Sequence, residues 1–154
     1  WLAPSLYSWR SHKDWRSVDH LHEGLPELPR TAMKYEGGGQ NFAGIYAMGA
    51  VLEMLASLGP AEIEQRVLEL AAKTRHVLRA HGGILRYDQH PYYDSPVVTA
   101  QFPGLDMSTL AAGLRRACIA VAARRGNLRV SPHFFNNEDD LGKLDEALGT
   151  LVKA

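Results

Sequence analysis

Two short runs of alternating apolar and polar residues, separated by a Gly-Asn pair, constrain this chain more than any other feature. Ile119, Val121 and Ala123 lead into Arg124-Arg125-Gly126-Asn127, and Leu128 and Val130 resume the alternation beyond it. A period of two interrupted by a tight turn specifies an antiparallel β-hairpin with one buried face. Gly126-Asn127 reads as a two-residue turn of positive φ. In that register Arg125 faces Leu128, Arg124 faces Arg129 and Ala123 faces Val130. Two arginines directly opposite one another weaken a hairpin by a few tenths to about 1 kcal/mol. An anion near them removes the repulsion, because each guanidinium fork takes a carboxylate or phosphate bidentately. Leu128 and Val130 share the core face, so Arg129, Ser131 and His133 project from the other. The bland reading of the same pattern is an exposed sheet face with solvated arginines.

The rest of the chain supplies the elements for such a hairpin to join. From Asn41, a plausible N-cap, Ile45, Met48, Leu52 and Leu55 recur at helical spacing, predicting an amphipathic helix. Gly59 closes it, and Pro60 suits the first turn of a second helix. That helix places Ile63, Val67, Leu70, Thr74 and Val77 on one face and ends at His81-Gly82-Gly83. Strands follow at Ile84–Tyr87 and Pro96–Phe102, the latter with Val98, Ala100 and Phe102 on one side, joined through residues 90–96. Asp106 caps a helix carrying Met107, Leu110, Ala111 and Leu114. After the hairpin, Asn136 caps a last helix with Leu141, Leu144, Leu148 and Leu151, and Asp139 stands in the capping-box position. The order helix, helix, strand, strand, helix, strand, strand, helix predicts an α+β layer with an antiparallel-rich sheet and helices packed on one face.

Residues 1–40 behave differently. They hold Trp1, Trp9, Trp15, several prolines and the run Gly37-Gly38-Gly39 without periodicity. This predicts a loop-rich linker made to lie against something else, ahead of a domain spanning 41–154. The start at Trp1, with neither an initiator Met nor a signal-peptide h-region, reads as a fragment.

Seventeen basic and seventeen acidic residues balance, which argues against a nucleic-acid or anionic-membrane binder. Arg115-Arg116 and Arg124-Arg125 lack the interleaved aromatics of an RNA platform. No apolar run is long enough to span a bilayer. His20-Leu21-His22-Glu23, with His76 and His81 elsewhere, lacks a third ligand at metal spacing. The single Cys118 forms no internal disulfide and suits a reducing compartment, hence a cytoplasmic assignment. It ends the helix before the hairpin, where a small buried apolar role is expected. Gly37-Gly38-Gly39-Gln40-Asn41 stands just before a helix, where glycine N–H groups and the helix N-terminus suit an anion such as phosphate. Glycine runs before helices also serve as simple flexible joints.

Two segments together carry a resemblance: Tyr35-Glu36-Gly37-Gly38-Gly39-Gln40-Asn41-Phe42-Ala43-Gly44-Ile45-Tyr46-Ala47, and Arg124-Arg125-Gly126-Asn127-Leu128-Arg129-Val130-Ser131-Pro132-His133-Phe134-Phe135-Asn136. They resemble the C-terminal part of class V aminotransferases, pyridoxal-phosphate enzymes of fold type I with isopenicillin-N-epimerase-like and cysteine-desulfurase-like branches. The resemblance implies that the chain is the small C-terminal domain of such an enzyme, that Arg129 grips the substrate carboxylate, and that Gly38 and Gly39 lie at the phosphate of the neighbouring subunit's cofactor. Gly39 stands where the family has Thr, so a hydroxyl donor is missing. Asn136 matches the family's helix start, with Phe135 for Tyr.

Ser11-His12-Lys13-Asp14-Trp15 imitates the family's cofactor-lysine signature but lacks the Gly-Pro-x-Gly stretch that follows it, and Lys13 lies too close to Glu36. The cofactor lysine is therefore expected upstream, and with it the groups that hold the pyridine ring. Cys118 is not on the loop that bears the desulfurase nucleophile. The expected parent is a homodimeric, cytoplasmic enzyme acting on an amino acid, and the chain by itself is a truncated, inactive piece with no bound pyridoxal 5'-phosphate. The competing reading is a stand-alone α+β binding domain without catalysis.

Overall fold

The hairpin is present and lies at the edge of a four-stranded sheet. The computed structural model describes residues 2–17, 19, 27–86 and 94–153. The His20–Glu23 tetrad, Trp1, Tyr87 and the first part of the expected 90–96 connection lie outside the described residues. Along the chain run α1 (Phe42–Leu58), α2 (Pro60–Ala80), β1 (Ile84–Leu85), β2 (Val98–Gln101), α3 (Met107–Arg116), β3 (Ala122–Arg124), β4 (Asn127–Val130) and α4 (Glu138–Leu151). The chain divides into two compact units, Trp1–Glu53 and Met54–Ala154, and the division falls within α1.

In the second unit the strand order is β1-β2-β4-β3, and each described pairing is antiparallel. Val98 pairs with Val130 and Ala100 with Leu128. These four, all buried, face a core completed by Ala71 and Leu78 of α2, Leu110 and Leu114 of α3, and Leu144 and Leu148 of α4. The fold is thus α+β, with helices on one face of an antiparallel sheet. Helix α3 starts as its sequence demands: the Asp106 side chain accepts the Thr109 N–H at 2.8 Å, which lowers the carboxyl pKa. In α2 the buried stripe is Val67, Leu70, Ala71, Thr74 and Leu78, with Val77 partly buried against the same core.

Local signals misplace the hairpin turn. Arg125 (φ 50°) and Gly126 (φ 72°) are its two central residues, the doubly positive φ that a type I′ turn needs. Arg124 therefore faces Asn127, Ala123 faces Leu128 and Ala122 faces Arg129; the expected Arg124–Arg129, Arg125–Leu128 and Ala123–Val130 pairs do not form. The reason is burial. Leu128 is fully buried, and the expected register would set Arg125 opposite it on the core face, a charge without a partner. Ala123 opposite Leu128 avoids that cost.

The α4 cap is shifted by one residue in the same way. Asn137 is the N-cap, accepting the Asp140 N–H while Asp140 accepts the Asn137 N–H. Asn136 instead accepts the His133 N–H at 2.9 Å. Asn-x-x-Asp occurs twice in overlapping frames here, so spacing alone cannot choose between Asn136 with Asp139 and Asn137 with Asp140.

Both α2 and α3 stop in the same motif. Gly82 and Gly83 donate to Arg79 and Leu78 carbonyls, and Cys118 and Ile119 donate to Arg115 and Leu114 carbonyls. This is the Schellman pattern, which needs a left-handed residue after the C-cap. Gly82 fills that position at φ 82° and Cys118 at φ 62°. Cys118 is exposed, which corrects the expected buried role.

In the first unit, 3-10 helices span Trp9–Ser11 and Ala32–Tyr35. The Arg10 guanidinium lies 4.2 Å from the Trp15 ring centroid, and the Trp9 ring meets Trp15 edge-on. Lys34 is buried beside Tyr35, a position the sequence reading did not single out. Helix α1 also departs from expectation. Asn41 caps it, accepting the Gly44 N–H at 3.0 Å, but none of its residues is buried. Ile45, Met48 and Leu52 are all more than half exposed, as are Phe42 and Tyr46. Glu53 is its one charged residue, so apolar side chains surround it, as in a helix meant for burial. Among the described residues no single helix is long and apolar enough to cross a membrane.

Candidate active-site elements

Arg129 stands in the middle of β4, between Thr99 of β2 and Ala122 of β3. Strand alternation puts Leu128 and Val130 into the core with α2, α3 and α4, so Arg129 emerges from the opposite face of the sheet. Thr99, Ala122, Arg124 and Asn127 share that face by register, with Ile84 and Gln101 beyond them. Arg129 is half-buried. Among the described residues, the side chains of Arg124, Arg125 and Arg129 form no ion pair or hydrogen bond. The arginine expected to hold a carboxylate is thus neither in the core nor neutralised by a described carboxylate of its own domain.

Arg124 is not opposite Arg129 but diagonal to it, since their partners Asn127 and Ala122 are two residues from each of them on the same face. Asn127 completes the set. Its Nδ2 donates to the Arg125 carbonyl at 2.9 Å and more weakly to that of Arg124, while its buried Oδ1 has no partner among the described residues. Thr99 was not singled out from the sequence, and Asn127 was read only as a turn residue. Thr99 becomes a neighbour of Arg129 only through pairing with a distant strand.

The glycine run lies in the first unit. Glu36 anchors it: Arg10 Nη2 and Nε donate to Glu36 Oε2 at 2.9 and 3.2 Å, and Gln40 reaches the same oxygen. The Glu36 carbonyl accepts from Ser8 and Ser11 hydroxyls. Beyond this anchor, a Cβ at Gly39 would meet nothing within 4 Å, and at Gly38 only the Trp9 ring. The N–H groups of Gly38 and Gly39 have no acceptor among the described residues. At the start of α1, Phe42 and Gly44 N–H groups are already taken by Gln40 and Asn41. The loop can therefore offer backbone donors to an anion such as phosphate, and the residues present fit such a group.

Lys13 is exposed and pairs with Glu27 at 2.9 Å, which raises its pKa. A nucleophilic lysine needs the opposite, a dry pocket that lowers the amine pKa. Among the described residues no three His, Cys, Asp or Glu side chains could share a metal. A cleft of about 500 Å³ on the helical side of the sheet is bordered by Cys118, Val121, Pro132, Asn136, Lys143 and Leu144.

The family model for aminotransferase class-V matches residues 18–139. The chain is 33% identical over 159 residues to an isopenicillin N epimerase from Amycolatopsis lactamdurans, a match covering 99% of this chain and 40% of that protein. It thus spans well under half the length of that relative. Among solved structures, a cysteine desulfurase from Thermococcus onnurineus superposes with a TM-score of 0.81 at 21% identity, covering 97% of this chain and 39% of that one. A C-DES mutant with glycine covalently linked to its PLP cofactor superposes with a TM-score of 0.78 at 16% identity, covering 94% of this chain and 37% of that one. The structural matches establish the fold, and the sequence matches establish that the chain belongs to the class V aminotransferase family.

Proposed function

We propose that this chain is the substrate-gripping C-terminal portion of a pyridoxal-phosphate enzyme that acts on an amino acid, and that Arg129 holds the substrate carboxylate. The observation that carries the reading is the place of Arg129: half-buried in the middle of β4, on the sheet face away from the core, with no described carboxylate to neutralise it. A charge-assisted, bidentate guanidinium–carboxylate pair in such a place fixes orientation as well as affinity. Gly38 and Gly39 would hold the phosphate of a neighbouring subunit's cofactor through backbone N–H groups, Gly39 doing so without a hydroxyl. When bound, the cofactor supplies an electron sink for the bonds at the substrate Cα.

Within this reading the chain contributes binding and orientation, not proton transfer. Lys13 is solvated, paired and kept protonated by Glu27, so the cofactor lysine belongs to a further part of the protein, as does the large domain. The unburied apolar surface of α1 supports such a partner, since a stand-alone binding domain leaves no large apolar surface of this kind. The single free cysteine is in keeping with a reducing, cytoplasmic setting, and a homodimer would let the glycine loop reach a neighbouring cofactor.

The test is Arg129→Ala in the full enzyme. Loss of a charged hydrogen-bond partner costs about 1.5–3 kcal/mol, so kcat/KM for the amino acid falls by at least tenfold, chiefly through KM. Unchanged kcat and KM would remove Arg129 from the site.

A further inference from the structure

We infer that Arg124 is a second anion-binding point beside Arg129, and that the substrate carries a carboxylate on its side chain in addition to the one at Cα. This rests on the carboxylate role proposed for Arg129. The register places both arginines on the same sheet face, away from the core and diagonal across β3 and β4. Diagonal neighbours lie about 7–8 Å apart, within reach of long side chains. Two cations held this way repel one another, and neither has a described ion-pair partner. Each planar fork binds one carboxylate bidentately, so two forks on one face match a diacid better than a monoacid.

Asn127 strengthens the case. It lies directly opposite Arg124 and two residues before Arg129 on the same face. Its amide nitrogen is committed to the turn carbonyls, leaving its buried Oδ1 without a donor. A buried acceptor left in that state is costly. A neighbouring guanidinium N–H that turns toward it on binding an anion satisfies it. The turn that brings these groups together depends on Arg125 and Gly126 at positive φ, which carries Arg124 onto the face of Arg129 without placing the two side by side.

The experiment uses the full enzyme with its cofactor bound and reads equilibrium binding of unreactive acids by calorimetry. Glutarate and adipate are compared with butyrate, in the parent protein and in Arg124→Ala, Arg124→Gln and Arg129→Ala variants of matched thermal stability. The expected result is that the diacids bind about tenfold tighter than butyrate, as one extra charged hydrogen-bonded contact provides, and that both Arg124 variants abolish this ratio while leaving butyrate unchanged. Arg129→Ala weakens all three acids. A ratio unchanged in both Arg124 variants, or butyrate weakened as much as the diacids, overturns the second binding point alone. Binding untouched by Arg129→Ala overturns the carboxylate role of Arg129 and this inference with it.

Discussion

Replacing Cys118 by glycine should make the protein more stable, although it removes a side chain. Helices α2 and α3 end in the same hydrogen-bonding pattern, and each needs one residue in the left-handed region. Gly82 adopts it freely. Cys118 carries a Cβ that crowds the backbone there, at a cost of about 1–2 kcal/mol. Glycine removes that cost but returns freedom to the unfolded chain, worth about 0.4–1 kcal/mol in the other direction. Cys118 is exposed, so little packing is lost with its side chain. At the middle of the two ranges the net expectation is a gain of about 0.8 kcal/mol, which in a chain of this size raises Tm by roughly 2–3 °C. Urea denaturation under reducing conditions is the assay, with an unchanged slope confirming that the native state is the same. Cys118→Ala is the control: it keeps the Cβ and should gain nothing. A fall in stability for Cys118→Gly, or an equal gain for Cys118→Ala, would refute the backbone argument, the latter by showing that the thiol rather than the φ angle is at fault.

Two further outcomes follow from the helical layer. Arg66 and Lys73 of α2 donate to the Glu138 carboxylate at the start of α4 and pull its pKa from 4.5 down to about 2. A depressed carboxyl stabilises the fold above its unfolded pKa, and that contribution fades as pH falls from about 4.5 to about 2. Glu138→Gln should therefore lower the denaturation midpoint at neutral pH and converge on the parent protein near pH 2; a constant difference across this range would dismiss the ion-pair account. Leu148 is fully buried in the core of α4. Leu148→Ala should cost about 2–5 kcal/mol by opening a cavity, and a loss under 1 kcal/mol in chemical denaturation would mean that α4 does not pack into the core with α2 and α3 as described.

The parts of the fold that were legible are those whose signals are local and redundant. Asp106 names its own helix start, because its carboxylate reaches the Thr109 N–H in only one conformation of the next turn. Gly59-Pro60 separates two helices, since glycine accepts the φ of 87° found there and proline suits the first helical turn. The alternation Val98, Ala100, Phe102 identifies a strand side that is indeed buried. The misread details share one cause. Where two neighbouring residues satisfy a local rule equally well, as Asn136 and Asn137 do for the α4 cap, one-dimensional spacing is degenerate. The environment of α1 was misread for a related reason: its stripe of Ile45, Met48, Leu52 and Leu55 is one among several apolar directions around the helix.

The sequence by itself determined which segments form helices and strands, the order in which they occur, and the presence of an arginine on the strand side away from Leu128 and Val130, because side-chain periodicity and capping chemistry act over only a few residues. Tertiary structure alone decided that Arg125 and Gly126 make the turn, that Arg124 lies diagonal to Arg129, and that Thr99 comes to its side. Strand β4 sits between β2 and β3, so its register answers to both neighbours at once, and the need to keep a charge away from the buried Leu128 outweighs the turn preference of any two residues.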